Sequence, residues 1–554
     1  MTRRTFSLLD EPWIACTLHD GSEALLSMRQ IFDGERAVAG LRGDSPAQDY
    51  AVLRLLLAAY WRAHRGDDEV TRGEIYVHDE WFEAEWDRAR ENRADTAVLD
   101  YLERYRDRFD LLHPVHPFMQ VADLHTEKGT RSEVRRIVPE AEAQYFTMRA
   151  GRARETLSFA EAARWLLYTQ AYDYSGIKSG AVGDPRVKGG KGYPIGTGWT
   201  GMTGGTVLVG STLRETLVLN TTQGCLIDEA SRVDEAAWER EPDGAAQREP
   251  TAEAVYPKGP ADLATWQSRR VRLFHDGERV TGVLVSNGDR IPDAGANIES
   301  DPMTPYRYSA NKSKRDLDVY YPRPFDSNRT MWRSLEPLIA LESDPGFTDK
   351  NKAPRRPETL TQLADLNENM GIAPDWANIQ MVSVEYGPQA SSVAEVVASG
   401  IEIPVALLRE DASTQRRLVL DNAKATLDAA VALGSFAGQL LVAAGGEYEF
   451  QAPPTDTLLA RLEIPFRPWL RDLAGADIEE RAQRWQRYVR QRVLADARVL
   501  VQGASPQVLV GRTSVVTTEG DTPYVKSAHT AWRALTKRLD EVLPATKRVK
   551  EEKR

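Results

Sequence analysis

Eleven of the 39 glycines in this 554-residue chain lie between Ser175 and Gly205, in SGIKSGAVGDPRVKGGKGYPIGTGWTGMTGG. Lys178, Arg186, Lys188 and Lys191 are set among them. Glycine lets backbone N–H groups crowd up to a partner, because no side chain stands in the way. Basic side chains beside them point to a phosphate as that partner. Two sources of phosphate compete: a nucleotide cofactor and a nucleic-acid backbone. Gly196 to Gly201 reads GTGWTG and matches G-x-G-x-x-G. That motif cradles a pyrophosphate only when a strand leads into it and a helix N-terminus follows it. Here Gly, Lys and Pro precede it, and MTGGTVLVG, more glycine and then a strand, comes after. No G-x-x-x-x-G-K-[ST] occurs, so a P-loop has even less behind it than the dinucleotide reading. On the residues alone, a nucleic-acid contact and a plain glycine-rich connector both stay open.

Other chemistry has fewer residues behind it. His113 and His116, in LLHPVHPFMQ, could ligate a metal with His125 or Asp123. Two histidines three apart and flanked by prolines more often serve a turn or packing, so no metal is expected. There is no H-E-x-x-H, no nucleophile elbow and no carboxylate cluster at active-site spacing. The chain therefore reads as a non-enzyme without a cofactor. Cys16 and Cys225 are the only cysteines, which excludes a disulfide framework and any four-cysteine zinc site. The opening MTRRTFSLLDEPWIACTL has no apolar signal core, and no window approaches a membrane span. A cytoplasmic protein with no membrane partner is expected.

These residues must be held by a chain too long for one ordinary core. The expected class is α+β: a large, irregular mixed α/β domain over residues 1–403, then an all-α four-helix bundle over 404–554. Helical spacing predicts the bundle helices over 413–444, 455–474, 477–502 and 527–543. The second of these is bent or interrupted near Pro465 and Pro468. The third opens on a capping-box-like Asp477 with Glu480. Further upstream, 45–64 and 158–174 read as helices, while 205–210, 215–220 and 280–287 read as strands. The polar stretch 228–262 reads as a long surface loop. The net charge of −11 argues against indiscriminate nucleic-acid coating. From Val405 onward Lys and Arg outnumber Asp and Glu by 23 to 19, against 48 to 63 before it. A mildly basic C-terminal region on an acidic body permits local phosphate contact.

Several stretches, in order, resemble the CasA family, the large subunit of the type I-E CRISPR surveillance complex Cascade. They are LLDEPWI (8–14), HPFMQ (116–120), YTQAYDYSGIKSG (168–180), LRETLVLN (213–220) and YGPQAS (386–391). The resemblance covers nearly the whole chain. It implies a non-catalytic subunit of an antiviral, RNA-guided machine that inspects double-stranded target DNA for a protospacer-adjacent motif. It implies duplex opening, so that base pairing with the guide reads the target in an R-loop. The implied partners are target DNA, the guide RNA 5′ handle, the backbone and small Cascade subunits, and a helicase-nuclease. The competing readings are a nucleotide-binding enzyme using GTGWTG and a purely structural scaffold subunit.

Carried onto this chain, the family's glycine loop against the motif's minor groove falls on Gly176, Ile177, Lys178, Ser179 and Gly180. Small residues suit a groove about 6 Å wide, and lysine can neutralise a phosphate there. The family's glutamine wedge falls on Gln389, with Ala390 and Ser391 near the groove; Gly387-Pro388 equally favours a plain tight turn. No lysine lies between Lys258 and Lys312, so Arg290 is the expected stand-in for the family's lysine finger. The loop that meets the guide handle and neighbouring subunits falls on 143–152. There Phe146 and Met148 would be apolar anchors, and Arg149 and Arg152 phosphate contacts; ordinary core aromatics fit that stretch as well. Arg481, Arg484, Arg487 and Arg490, three residues apart, form a strip that drifts slowly around a helix. The strip reads either as a DNA track or as a solvated face.

Overall fold

The computed structural model describes residues 4–65, 78–139, 149–227, 233–325, 330–369, 371, 373–473, 477–516 and 522–546. Two compact units emerge, Met1–Ser327 with Thr348–Gly400, and Asn328–Phe347 with Ile401–Arg554. The second unit is therefore not one continuous C-terminal stretch. Within it, Asp344 binds the fully buried Arg416 through both carboxylate oxygens, at 2.8 and 2.9 Å. Removing either partner would strand a buried charge.

The first unit is α+β. Strands β1 (Ile14–Leu18), β2 (Glu23–Leu26) and β3 (Val38–Leu41) form one sheet in the order β2-β1-β3. Helix α1 (Pro46–Ala63) starts at Ser45, whose hydroxyl accepts from the Gln48 N–H, with proline in the first turn. It is buried on nearly every side, as a core helix must be when its sequence is apolar all round. Helix α2 (Phe159–Tyr172) packs beside it and begins with a reciprocal capping box between Ser158 and Glu161. The short strands β4 (Lys178–Ser179) and β5 (Lys191–Gly192) pair antiparallel. Strand β6 (Gly205–Leu208) is followed by helix α3 (Leu213–Leu219), and β7 (Arg269–His275) and β8 (Val280–Asn287) form an antiparallel ribbon. Strands β9 (Trp376–Tyr386) and β10 (Val393–Pro404) complete a sheet ordered β10-β9-β6.

Two expectations about this unit are corrected. Residues 215–220 belong to helix α3, not a strand. Its seven residues are all buried, so no helical stripe marks the sequence. The Thr212 side chain decides the matter by accepting from the Glu215 N–H. Nor is 228–262 simply a surface loop in its described part. Asp234 accepts from the Ala261 and Asp262 N–H groups at 2.8 and 2.9 Å, and Trp238 is buried and donates to the Tyr101 hydroxyl. Asp234 there serves capping, while Glu241, Glu249 and Glu253 stay exposed to solvent.

In the second unit, α4 (Ser413–Ala443) carries α5 (Ala452–Arg471), α6 (Ile478–Gln502) and α7 (Ala528–Val542) against it. Helix α5 starts with prolines in its first turn and runs on past Pro465 and Pro468. Asp477 caps α6 as expected, its carboxylate accepting from the Glu480 N–H at 3.1 Å. The all-α expectation is corrected by a hairpin, Arg512–Val516 paired with Thr522–Lys526. The expectation that no window approaches a membrane span is corrected on composition: the segment Glu410–Ala443 is long and apolar enough to cross one by length and composition alone. With 61% of its apolar window buried inside the protein, it is the unit's core helix.

Candidate nucleic-acid interface

Helix α2 ends at Asp173, and this carboxylate anchors everything that follows. It is buried among three cations: Arg269 Nε at 2.5 Å, Arg136 at 2.8 Å and Lys178 Nζ at 3.0 Å. Burial pushes its pKa up, but the three cations outweigh burial and hold the carboxyl well below the usual range. The Arg269 guanidinium also donates to the carbonyls of Asp173, Tyr174 and Gly196, tying the helix end to the start of the GTGWTG stretch. Lys178 donates to the Tyr174 carbonyl at 2.7 Å and lies 3.9 Å from the centre of the Tyr174 ring. Three cations share one carboxylate. Burial, with Arg269 and Arg136 beside it, lowers the Lys178 pKa to about 7 although Asp173 works in the opposite sense.

This geometry corrects the expected role of Lys178. Its side chain is 1% exposed and turned into the cluster, so it has no reach to a phosphate in a groove. Ser179 is half-buried and Ile177 is the exposed residue of the loop. The two glycines also have internal reasons to be glycine. A Cβ on Gly180 would sit 2.6 Å from the Gly190 backbone, and one on Gly176 would meet the Tyr174 ring at 2.8 Å.

The wedge candidate sits on the turn between β9 and β10. Gly387 N–H donates to the Ser392 carbonyl, Ala390 N–H to the Gly387 carbonyl, and the Ser391 hydroxyl to the Pro388 carbonyl. Gln389 and Ala390 both hold positive φ, +57° and +51°. Such backbone costs roughly 1–3 kcal/mol per residue and is retained only where its surroundings over-determine it. Gln389 and Ser391 are exposed and Ala390 is half-buried. The tertiary structure joins this turn to the glycine loop directly, since the Ser175 N–H donates to the Ala390 carbonyl at 2.7 Å. The Ser175 hydroxyl in turn accepts from the Gly196 N–H at 3.1 Å. The Tyr386 hydroxyl donates to the Tyr172 carbonyl, fixing the strand before the turn to the end of α2.

The remaining candidates are not gathered at this point. Arg290 is exposed and paired with Glu253 at 3.2 Å. Arg149 is mostly buried between Glu161 and Asp44, which corrects its assignment as a free phosphate contact. Arg152 is exposed, while Phe146 and Met148 lie outside the described residues. The arginine strip spreads around its helix: nine residues advance it by about two and a half turns, so Arg481 and Arg490 point to opposite sides. Arg490 pairs with Asp540 at 2.7 Å, and Arg484 pairs with Glu480. Arg487 is exposed without an ion-pair partner among the described residues.

The nucleotide reading of GTGWTG finds no support. Trp199 is buried, and a Cβ on Gly198 would meet the Gln170 carbonyl at 2.5 Å, so the stretch is packed against the helix end. His113 and His116 stack on each other, and His113 Nδ1 accepts from the Val115 and His116 N–H groups, as turn residues do. The sequence reading missed Asp173, Arg269 and Arg136, which hold the site together. Their one visible signal is an Arg269-Arg270 pair at the head of an apolar strand, a pattern that demands buried counter-charge.

A family model described as CRISPR-associated protein Cse1 matches residues 7–495. A CRISPR-associated protein CasA/Cse1 of Thermus thermophilus is 28% identical over 347 residues. That match spans 60% of this chain and 60% of the relative's length. The crystal structure of Thermobifida fusca Cse1 superposes with a TM-score of 0.81 at 35% identity, covering 98% of this chain and 99% of that one. A chain of a CRISPR RNA-guided surveillance complex shares the fold at 19% identity, with a TM-score of 0.61 over 90% of this chain and 99% of that one.

Proposed function

The chain belongs to the CRISPR-associated Cse1 family, and on that premise we propose that it is the large, non-catalytic subunit of a Cascade-type, RNA-guided surveillance complex. In this reading it inspects duplex DNA for a short motif beside the target and opens the helix there. The guide RNA then tests the exposed strand by pairing. The loop Gly176–Gly180 lies against the minor groove, and Gln389 enters the stack beneath the motif. Insertion costs a few kcal/mol per unstacked step, offset as the guide pairs. The observation that carries the reading is the hydrogen bond from Ser175 to the Ala390 carbonyl, which makes loop and turn one rigid feature.

The other roles belong to the same proposal. Arg152 is the candidate cation toward the guide RNA handle. The helices of the second unit, read as a four-helix bundle, face the backbone and small subunits and the incoming helicase-nuclease. The reading is tested by duplex binding of the guide-loaded complex with and without this chain, on duplexes that share one matched target and differ only in the adjacent motif. Motif-dependent binding that requires the chain is expected. Binding indifferent to both the chain and the motif would overturn the reading.

A further inference from the structure

The hairpin of β4 and β5 carries an outer face that the interior of the protein does not use. Its register pairs Lys178 with Gly192 and Ser179 with Lys191, and one step further sets Ile177 opposite Tyr193. Alternation along the strands turns Lys178 and Gly192 inward, where both are buried. The same alternation turns Ile177, Lys191 and Tyr193 outward, and Ile177 is 58% and Tyr193 53% exposed. The connecting turn adds Lys188, whose backbone exchanges hydrogen bonds with that of Lys191 at 3.1 and 3.2 Å. Gly189 and Gly190 between them take φ of +58° and +72°, the geometry of a tight two-residue hairpin. Lys188 and Lys191 are both exposed and have no ion-pair partner among the described residues.

This face is held firmly. The Gly180 N–H donates to the Gly190 carbonyl at 3.0 Å, and the Asn287 side-chain amide on β8 donates to the Tyr193 carbonyl at 2.6 Å. Two free ammonium groups held together on an acidic chain, beside two exposed apolar side chains, suit a ligand that offers both anions and a hydrocarbon edge. A sugar–phosphate backbone offers both. The face continues directly into the Gly176–Gly180 loop, so the backbone in reach is the one flanking the groove that the loop meets.

We propose that Lys188 and Lys191 each contact a phosphate of the target duplex, while Tyr193 and Ile177 pack on the deoxyribose edge between them. This rests on the reading of the chain as a DNA-inspecting subunit and adds a second contact surface to it. Phosphate contacts set position and carry no base information. Their loss therefore weakens every duplex alike.

The test uses guide-loaded complexes assembled with the wild-type chain, Lys188→Ala/Lys191→Ala, Tyr193→Ala or Gln389→Ala, with folding checked by thermal melts. Each is titrated with the duplexes that differ in adjacent motif, over a range of salt concentrations. The double lysine variant is expected to reduce the slope of log affinity against log salt by about two, roughly 0.9 per phosphate contact. Its fold-loss should be equal for all motifs. Tyr193→Ala is expected to weaken binding with the slope unchanged. An unchanged slope in the lysine variant overturns the proposal. So does a loss of guide RNA from its DNA-free complex, which would assign the lysines to RNA. If the wild type is motif-dependent and Gln389→Ala impairs opening while the lysine variant binds normally, the hairpin assignment alone fails. If the wild type is indifferent to the motif, the subunit reading fails and takes the hairpin with it.

Discussion

Gln389 keeps a left-handed backbone that glycine would adopt without strain, so its side chain can be tested apart from its turn. Gln389→Gly is expected to leave the thermal midpoint unchanged or raised, by the equivalent of about 1 kcal/mol. It should impair strand opening as severely as Gln389→Ala, read with a base-analogue fluorophore beside the motif. Opening retained in both variants would reduce the stretch to a turn. Lys178 makes a second prediction. Its folded pKa of about 7 lies below the ordinary lysine value of 10.5, so between these values the unfolded chain binds more protons. The cost of the buried charge is fully present below pH 7 and is relieved as pH rises toward 10.5. Lys178→Met, which leaves Asp173 paired with Arg269 and Arg136, should flatten this rise. The measurement is the difference in thermal midpoint between the two proteins across that range; parallel curves would show that Lys178 does not titrate there.

The β4–β5 hairpin is rigid because two backbones touch at Gly180. Gly180→Ala places a methyl group 2.6 Å from the Gly190 backbone, where no flexible side chain can give way. The expected cost is roughly 1–3 kcal/mol by chemical denaturation, as for other overpacked sites, with a loss of motif-dependent binding. Gly189→Ala has open space around it and should perturb only the turn. The start of α6 was legible from its cap, Asp477, because a cap is a local hydrogen bond, and the stretches read as helical from residues 45 and 158 begin at the caps Ser45 and Ser158. Helix α3 was not legible, because full burial erases the periodicity on which such a reading depends.

At the scale of the whole chain, an acidic protein of net charge −11 cannot hold DNA by diffuse attraction, so its contacts must be few and placed. The arginines of α6 fit a solvated face better than such a place. Arg484 is already paired with Glu480, and Arg481 and Arg490 leave the strip. Arg484→Glu/Arg487→Glu is expected to change duplex affinity of the complex by less than about threefold at low and moderate salt, in line with screened surface charges. A larger, salt-dependent loss would restore the track.

Read alone, the sequence determined the α+β class, the helices of the second unit and the stretches that carry the family resemblance. These rest on local signals: apolar period, caps, glycine and proline. Only the tertiary structure decided what each charged residue does. Lys178 and Arg149 look free in the sequence, yet Lys178 pairs with the buried Asp173 and Arg149 with Glu161, while Lys188 and Lys191 stay exposed. It also decided that Ser175 meets Ala390, from a distant part of the chain. Pairing between distant residues depends on which surfaces the core brings together, and no local pattern encodes that.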